Sequence, residues 1–263
     1  MEETIRIQIE RQLQALPGKI GFYYHNLATG EEIRYHDCEK MMAASVIKLY
    51  IMAAAFAKME CGELSPDQMI TMKKEYRVPS CGALAYLHEG LEVTVLDLIT
   101  LMIIFSDNTA TNILIDLLGI SEVNRIIQDL GYRNTVLNRK MYDTEKSARG
   151  IQNYITAEET GRLLEAMQTG TLISKEADTQ MIAILKNQQV NGKIPFYLQA
   201  LPEEPEIAHK TGEDVGITHD VGIIYGKQPF IVCFCGNETD TPAYGRVMAQ
   251  VSLILYRANA WEA

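Results

Sequence analysis

The alternation of apolar and polar residues divides the chain into a helix, two strands, a long block of helices, three strands and a final helix. Residues 4–15 repeat apolar side chains with a helical rhythm and end at Pro17-Gly18, a pair that breaks helices. Residues 241–256 predict the last helix. The predicted strands are residues 20–27, 33–35, 207–210, 220–225 and 230–236. The strands therefore fall near the two ends of the chain.

Predicted helices fill the middle of the chain. Residues 44–59 are apolar almost throughout and consist of good helix formers, which predicts a buried helix. Thr94 is a suitable N-cap for the next apolar segment. The other predicted helices cover residues 94–105, 107–118, 121–130, 156–167 and 174–185. Residues 132–155 are polar and irregular, and a long loop inside a compact domain is often functional.

This order of elements predicts an α/β (α+β) fold. If the terminal strands pair, they form a five-stranded antiparallel sheet flanked by helices, and the remaining helices build an all-α lobe. No Pro- or Ser-rich linker divides the chain. We therefore expect a single catalytic domain, 1–263, with an α/β lobe of about residues 1–60 and 206–263 and an all-α lobe of about residues 61–205.

The composition is that of a globular protein with an acidic surface. Hydrophobic residues make up 47% of the chain and charged residues 22%. The net charge of -10 argues against a nucleic acid or an anionic membrane as a partner, because both require a cationic surface. No apolar run is long enough to span a bilayer. No signal peptide is visible, so we expect a cytoplasmic chain that acts on a small molecule; the oligomeric state stays open.

The five cysteines do not indicate a metal site. Their number is odd and their spacing matches no common zinc pattern, so we expect neither a metal ion nor a cofactor. Cys233 and Cys235 lie two residues apart in a predicted strand, which places both side chains on one face. We interpret them as buried free thiols.

The sequence Ser45-Val46-Ile47-Lys48 is the first candidate for chemistry. A serine three residues before a lysine shares a helical face with it. A lysine whose pKa is lowered can take the serine proton and produce a nucleophile. Apolar neighbours surround Lys48 in the sequence, and an ammonium group inside such a helix is costly unless it is paired.

Two further triplets complete an ordered set. Ser106-Asp107-Asn108 lies at the break between two predicted helices, where all three residue types also serve as caps. Lys210-Thr211-Gly212 ends a predicted strand, and its glycine would let a ligand approach the backbone. The order S-x-x-K, S-D-N, K-T-G is that of the class A β-lactamases and penicillin-binding proteins, and the chain resembles this family from about residue 18 to its end.

The resemblance implies roles in catalysis. Ser45 would attack the β-lactam carbonyl and form an acyl-enzyme, Lys48 would help to remove the serine proton, and Ser106 would relay a proton to the ring nitrogen. The backbone N–H groups of Ser45 and of a residue just past the third triplet, identified as Asp214, would form the oxyanion hole. The family is usually exported, in contrast with the leaderless appearance of this chain.

The resemblance also implies a binding surface for the substrate, which is a β-lactam or a D-Ala-D-Ala-like compound. The amide of Asn108 would hold the substrate side chain, and Lys210 with Thr211 would bind the substrate carboxylate. The residues implied for substrate binding are Asn108, Lys210, Thr211, Gly212, Glu213 and Asp214. We interpret His209 and His219 beside this strand as structural residues, and Ser80-Cys81-Gly82 as a turn near the site.

The long loop departs from the family pattern. Class A enzymes place a glutamate there to activate the water that hydrolyses the acyl-enzyme. By simple alignment from Leu137-Asn138-Arg139, Met141 occupies that position. Asp143 and Glu145 are candidate substitutes, although both also fit solvated loop charges. Arg139 and Asn153 are predicted to hold the ends of the loop.

Three functions therefore remain open from the sequence. The first is a serine β-lactamase-like hydrolase that opens the β-lactam amide through an acyl-enzyme at Ser45. The second is a penicillin-binding protein that is acylated and deacylates slowly. The third is a serine peptidase or esterase with little or no β-lactam hydrolysis.

Overall fold

A computed structural model describes residues 3–79 and 81–260. The helices in this part of the chain are α1 (Glu3–Gln14), α2 (Lys48–Glu60), α3 (Val95–Ile104), α4 (Asn108–Leu118), α5 (Ile120–Asp129), α6 (Thr144–Ala148), α7 (Ala157–Thr169), α8 (Lys175–Leu185) and α9 (Thr241–Ala258). The strands are β1 (Lys19–Asn26), β2 (Glu32–Tyr35), β3 (Met41–Met42), β4 (Met69–Thr71), β5 (Glu92–Thr94), β6 (Tyr154–Ile155), β7 (Ile207–Asp214), β8 (Ile217–Ile224) and β9 (Phe230–Asn237). Ser80, the first residue of the predicted turn, lies outside the described residues.

The chain divides into two compact units. The sheet unit comprises Met1–Val46, Ile155–Ala166 and Val190–Ala263, and the helical unit comprises Ile47–Tyr154 and Met167–Gln189. These bounds differ from the predicted lobes. Helix α2 belongs to the helical unit because it is buried among α3, α4, α5 and α8. Residues 190–205 belong to the sheet unit because Ile194 and Leu198 are buried in its core.

The sheet unit contains the five-stranded antiparallel sheet, in the order β2-β1-β9-β8-β7. The predicted fold class is confirmed in this respect. The third triplet does not end a strand, as the sequence predicted, because β7 continues past Gly212 to Asp214. Gly216, with a φ of +68°, provides the left-handed backbone of the turn that joins β7 to β8.

One face of the sheet carries the hydrophobic core of this unit. Every second residue of β1 and of β9 points to this face, and α1 and α9 supply the opposing side chains. The core residues on the sheet and on these two helices are Ile20, Phe22, Tyr24, Ile33, Ile207, Ile224, Phe230, Val232, Phe234, Ile9, Leu13, Tyr244, Met248, Val251 and Leu255. Full burial of each large apolar side chain stabilises the fold by roughly 1.5–3 kcal/mol.

The helical unit is built around α2. Its first nine residues, from Lys48 to Phe56, are all buried, as expected for a helix that is apolar on every side. Helix α3 begins at a capping box formed by Thr94 and Asp97, which confirms Thr94 as an N-cap. Among the described residues, no helix combines the length and hydropathy that crossing a membrane requires.

Candidate active site

The first candidate residue, Ser45, lies in the sheet unit on a strained turn. Residues Ala44–Ile47 form a 3-10 turn, and α2 begins only at Lys48, so the predicted helix starts one turn later than expected. Ala44 has a φ of +41°, in the left-handed region that costs a residue with a Cβ about 1–2 kcal/mol. A turn of this kind persists only where neighbouring groups hold it in place.

Two side chains of the sheet hold the strand that leads into this turn. The Nδ2 and Oδ1 atoms of Asn237 bond to the backbone of Met42, which donates its N–H to Oδ1 at 2.6 Å. His219 donates its Nε2–H to the carbonyl of Met42 at 2.8 Å and accepts the N–H of Gly236 at Nδ1. Burial lowers the pKa of His219 to about 4, so the ring is neutral and its tautomer is fixed by these two bonds.

Strand β7 passes directly beside Ser45 at Gly212. A Cβ placed on Gly212 would lie 3.3 Å from the backbone nitrogen of Ser45, 3.1 Å from Cγ2 of Val46 and 3.0 Å from Cδ2 of His219. A hydrogen is therefore the only side chain that fits here without displacing a neighbour. The backbone of the third triplet and the N–H of the candidate nucleophile are thus neighbours within the sheet unit.

The register of β7 corrects the predicted donor of the oxyanion hole. Tyr225 donates its N–H to the carbonyl of Glu206, which defines one hydrogen-bonded pair of the antiparallel ladder. Hydrogen-bonded pairs recur at every second residue of the ladder, so Asp214 and Ile217 also form a hydrogen-bonded pair. The N–H of Asp214 therefore points at β8. The N–H of Glu213 points to the open edge of β7 instead. Glu213, not Asp214, has the backbone donor available for a ligand.

The helical unit contains the other two candidate groups, Lys48 and the second triplet. Lys48 is fully buried, and its Nζ donates to the carbonyl of Ser106 at 2.8 Å, to Oγ of Ser106 at 3.1 Å and to Oδ1 of Asn108 at 2.8 Å. An ammonium group without water is costly unless oxygens surround it, and the second triplet supplies three. The structure thus brings Lys48, Ser106 and Asn108 together.

Asp107 braces the second triplet through the hydrogen bonds that its carboxylate accepts from the surrounding backbone. Its Oδ1 accepts the N–H of Ala110 and caps α4, and its Oδ2 accepts the N–H groups of Ala83 and Leu84, each at 2.8 Å. Gly82 also lies against this carboxylate, since a Cβ on Gly82 would be only 2.2 Å from Oδ2 of Asp107. Ser106 has a φ of +56°, so this brace holds a strained residue whose hydroxyl meets Lys48.

The long loop begins at residues held by two asparagine side chains. Asn112 accepts the N–H of Met141 at Oδ1 and donates Nδ2–H to its carbonyl, at 2.8 and 2.9 Å. Asn153 binds both backbone groups of Arg139, whose guanidinium in turn contacts Gln152. Arg139 and Asn153 therefore hold the loop, as the sequence predicted. Met141 is buried, at 9% exposure, and its backbone is fixed.

The two carboxylates predicted as substitutes for the missing glutamate are engaged elsewhere. Oδ1 of Asp143 accepts the N–H of Lys146 and caps α6. The side chain of Glu145 is 87% exposed and lies 4.0 Å from Arg149, the residue that follows α6. These positions favour the interpretation of both as loop charges. Asp143 and Glu145 are the only two carboxylates in the sequence of residues 132–155, so a deacylation base in this loop stays a prediction.

The remaining predicted residues lie on β7, where residues 210–212 are buried and residues 213–214 are exposed. Lys210 is fully buried and donates to the carbonyl of Thr211. Glu213 extends an exposed side chain to Lys193, with 2.8 Å between Oε1 and Nζ. His209 contacts Asp220 through Nδ1 at 2.9 Å, which agrees with its interpretation as a structural residue.

Comparison with known proteins matches nearly the whole chain, including both units. A family model described as the β-lactamase enzyme family matches residues 4–259. The chain belongs to the β-lactamase enzyme family. The matched segment spans both units and all three triplets, so the likeness is not limited to a motif.

Individual relatives of this β-lactamase-family chain are distant in sequence and near in fold. The β-lactamase AER-1 of Aeromonas hydrophila is 25% identical over 97% of this chain and 86% of its own. The crystal structure of a β-lactamase from Sphaerobacter thermophilus aligns over 100% of both chains with a TM-score of 0.90 and 29% identity. An L158E mutant of PBP-A, as an acyl-enzyme complex with penicillin G, aligns over 97% and 96% with a TM-score of 0.85 and 28% identity.

Sequence reasoning missed the residues of this β-lactamase-family chain that hold the site without belonging to a motif. Each of these residues hydrogen-bonds through its side chain to backbone groups that are distant in the sequence, as for Asn112, Asn237 and Asp107. Lys193 was missed because its partner, Glu213, is distant in sequence. An asparagine next to apolar residues is the one signal that was available for Asn112 and Asn237.

Proposed function

We propose that this protein is a serine β-lactamase-like hydrolase in which Ser45 attacks the β-lactam carbonyl and carries the acyl group. The observation that carries the proposal is the burial of the Lys48 amino group against Ser106 and Asn108. Lys48 lies three residues after Ser45 in the chain. A buried amine bound to a serine hydroxyl is a group that exchanges protons. Distant relatives that are named β-lactamases support the same substrate class.

The proposed acylation assigns one task to each group. Lys48 acts as the neutral amine and accepts the proton of Ser45, whose oxygen bonds to the carbonyl carbon. Ser106 donates its hydroxyl proton to the ring nitrogen as the amide bond breaks, and it takes back the proton that Lys48 received. The backbone N–H groups of Ser45 and Glu213 stabilise the oxyanion, a contribution of roughly 2.7–4 kcal/mol per donor in comparable sites. Lys210 and Thr211 bind the substrate carboxylate, and Asn108 holds its side-chain amide.

A second candidate function is an acyl-trapping penicillin-binding protein. Met141 supports it, because this buried residue, whose backbone is held by Asn112, stands where the family pattern places the base for deacylation. The structural neighbour PBP-A also supports it, since its L158E mutant was captured as an acyl-enzyme with penicillin G. The two candidates share every step up to the acyl-enzyme and differ in its lifetime.

Nitrocefin turnover and intact-mass measurement after exposure to penicillin test both candidates. We expect one acyl group per chain, lost within minutes if the protein is a hydrolase and retained for hours if it is a trap. Ser45→Ala should abolish adduct and turnover. Ser65→Ala, at an exposed serine of the helical unit, is the matched control and should leave both unchanged.

Two results would reject parts of this proposal, the first the nucleophile and the second the substrate class. Turnover that persists in Ser45→Ala removes this residue as the nucleophile. If penicillin leaves no adduct and nitrocefin is not opened, while p-nitrophenyl esters or D-Ala-D-Ala peptides are cleaved, the protein is instead a serine esterase or peptidase.

A further inference from the structure

Helix α3 ends just before Ser106, and a distant segment of the helical unit binds its last carbonyl groups. The last carbonyl groups of a helix have no intrahelical partner and need donors from elsewhere. Nε2 of Gln188 donates to the carbonyl of Ile103 at 3.2 Å, and the backbone N–H of Gln189 donates to the carbonyl of Ile104 at 2.9 Å. Ile103 and Ile104 are the last two residues of α3. The segment that follows α8 therefore caps the end of α3.

The chain turns sharply between this helix end and α4. The N–H groups of Phe105 and Asp107 both donate to the carbonyl of Leu101, at 3.3 and 3.1 Å. Ser106 lies between them with a φ of +56°. A residue with a Cβ keeps this left-handed backbone only where its neighbours hold it in place. The direction of the Ser106 hydroxyl, which contacts Lys48, therefore depends on where α3 ends.

Gln188 is a buried amide that uses both its donor and its acceptor. It is 4% exposed, whereas its neighbours Asn187 and Gln189 are exposed. Its Oε1 accepts the N–H of Gln189 at 3.0 Å, and its Nε2 donates to Ile103. An N–H on one side and a carbonyl on the other allow only one orientation of the amide. Gln188 thus attaches its segment to the end of α3 with a defined geometry.

Ser106 is held from both directions along the chain. On its C-terminal side, the Asp107 carboxylate caps α4 and binds the backbone of residues 83 and 84. On its N-terminal side, Gln188 binds the carbonyl of Ile103. The first contact sets the position of Ser106 relative to α4, and the second sets its position relative to α3. Both are needed to fix a strained residue between two helices.

We propose that Gln188 is a positioning residue for Ser106. By holding the end of α3, it directs the Ser106 hydroxyl at Lys48 and at the ring nitrogen that leaves. This role rests on the proposed function, in which Ser106 donates its proton to that nitrogen. Gln188 touches neither the substrate nor the reacting atoms, and it acts through the backbone from Ile103 to Ser106. Proton transfer requires hydrogen-bond geometry, so a displaced hydroxyl slows acylation.

Gln188→Met tests this role, because methionine keeps the length of the side chain and has no N–H donor. Intact-mass measurement of penicilloyl adduct formation should show a maximal acylation rate that is about 10- to 100-fold lower. The penicillin concentration that gives half of this rate should change by less than about 2-fold, because no group that binds the substrate is removed. Gln188→Asn keeps an amide on a shorter side chain and should slow acylation by a smaller factor, which provides the test if Gln188→Met does not fold.

Asn187→Leu is the matched control. The side-chain amide of Asn187 also donates to a helix carbonyl, that of Ala183 at 2.8 Å, but Asn187 is exposed and its partner lies on α8. The substitution removes a bond of the same kind from the same segment, and it should leave the acylation rate unchanged. Equal slowing in Asn187→Leu and Gln188→Met would overturn the proposal.

A double-mutant cycle separates positioning from a general loosening of the helical unit. Ser106→Ala removes the hydroxyl on which Gln188 acts. Adding Gln188→Met to Ser106→Ala should therefore slow the residual acylation by less than about 2-fold. Slowing by the same factor as in the wild-type background would overturn the proposal, and so would a normal acylation rate in Gln188→Met alone.

A crystal structure of Gln188→Met provides a test that does not depend on the substrate. The distance from Oγ of Ser106 to Nζ of Lys48 is 3.1 Å, and in the variant it should exceed the length of a hydrogen bond. An unchanged distance would overturn the proposal. If penicillin forms no adduct with the wild-type protein, the proposed function fails, whereas this distance still decides whether Gln188 positions Ser106.

Discussion

Removal of the Asp107 carboxylate should destabilise the helical unit much more than removal of an ordinary helix cap. Asp107 is 1% exposed and accepts three backbone N–H groups, from Ala110, Ala83 and Leu84. Asp240 caps α9 with a single bond to the N–H of Ala243 and has an exposed side chain. Asp107→Ala and Asp240→Ala therefore remove the same cap bond and differ in the two extra bonds.

The magnitude follows from these bonds. Loss of an N-cap costs about 1 kcal/mol, which is the whole effect expected for Asp240→Ala. In Asp107→Ala, the N–H groups of Ala83 and Leu84 also lose a charged acceptor, at about 1–3 kcal/mol each. Leu84 is fully buried and Ala83 only partly, so water replaces the acceptor more easily at Ala83. We expect a total loss of about 4 kcal/mol for Asp107→Ala.

Urea unfolding followed by circular dichroism measures the difference. The free energy of unfolding should fall by about 3 kcal/mol more in Asp107→Ala than in Asp240→Ala, with similar dependence on urea concentration. Equal losses in the two variants would refute the account of Asp107 as a brace. A change in the urea dependence would instead indicate that the two units unfold separately.

Three further predictions concern the site and its support. Met141→Glu places a carboxylate on the backbone that Asn112 fixes, and should shorten the lifetime of a penicillin adduct at least about 10-fold, whereas Met141→Gln should not. His219 has a pKa lowered to about 4 from 6.5, so the unfolded chain binds more protons between these values. Neutral His219 should therefore contribute about 3 kcal/mol to the free energy of unfolding above pH 6.5, and this contribution should be lost as the pH falls from 6.5 to about 4. Urea unfolding at several pH values measures the loss, which should be absent in His219→Gln. Gly212→Ala adds a Cβ 3.3 Å from the nitrogen of Ser45 and 3.0 Å from Cδ2 of His219, so it should slow acylation about 10-fold and lower the free energy of unfolding by about 1–3 kcal/mol; a normal acylation rate would contradict the close approach.

The fold could be predicted because the pattern of apolar residues is regular. Alternation in 20–27 and 230–236 and the apolar helix from residue 44 identified the strands and the central helix of the helical unit. The bounds of β7 and β8 were too short in the prediction. Gly212, Glu213 and Asp214 are of residue types that are depleted in strands, and β7 includes them because they pair with β8. The unit boundaries depend on tertiary burial, which periodicity does not report.

The motif residues of the candidate site could be predicted from the sequence, but the side chains that hold the surrounding backbone in place could not. The triplets identified Lys48, Ser106 and Asn108, which the structure brings together. The oxyanion donor was assigned to Asp214, since strand phase is needed to decide between adjacent N–H groups. Asn112 and Asn237 act on the backbone of residues about 30 and 195 positions away in the chain, as the bonds to Met141 and Met42 show. Only a folded chain brings such groups together.

The acyl group itself provides the most direct test of the account. Trypsin releases residues 41–48, which contain one serine, Ser45. After exposure to penicillin and rapid quenching with acid, mass spectrometry of this peptide should show one penicilloyl group on Ser45, and none in a digest of Ser45→Ala. A penicilloyl group on any other peptide, or one that survives in Ser45→Ala, would contradict the assignment of Ser45 as the nucleophile.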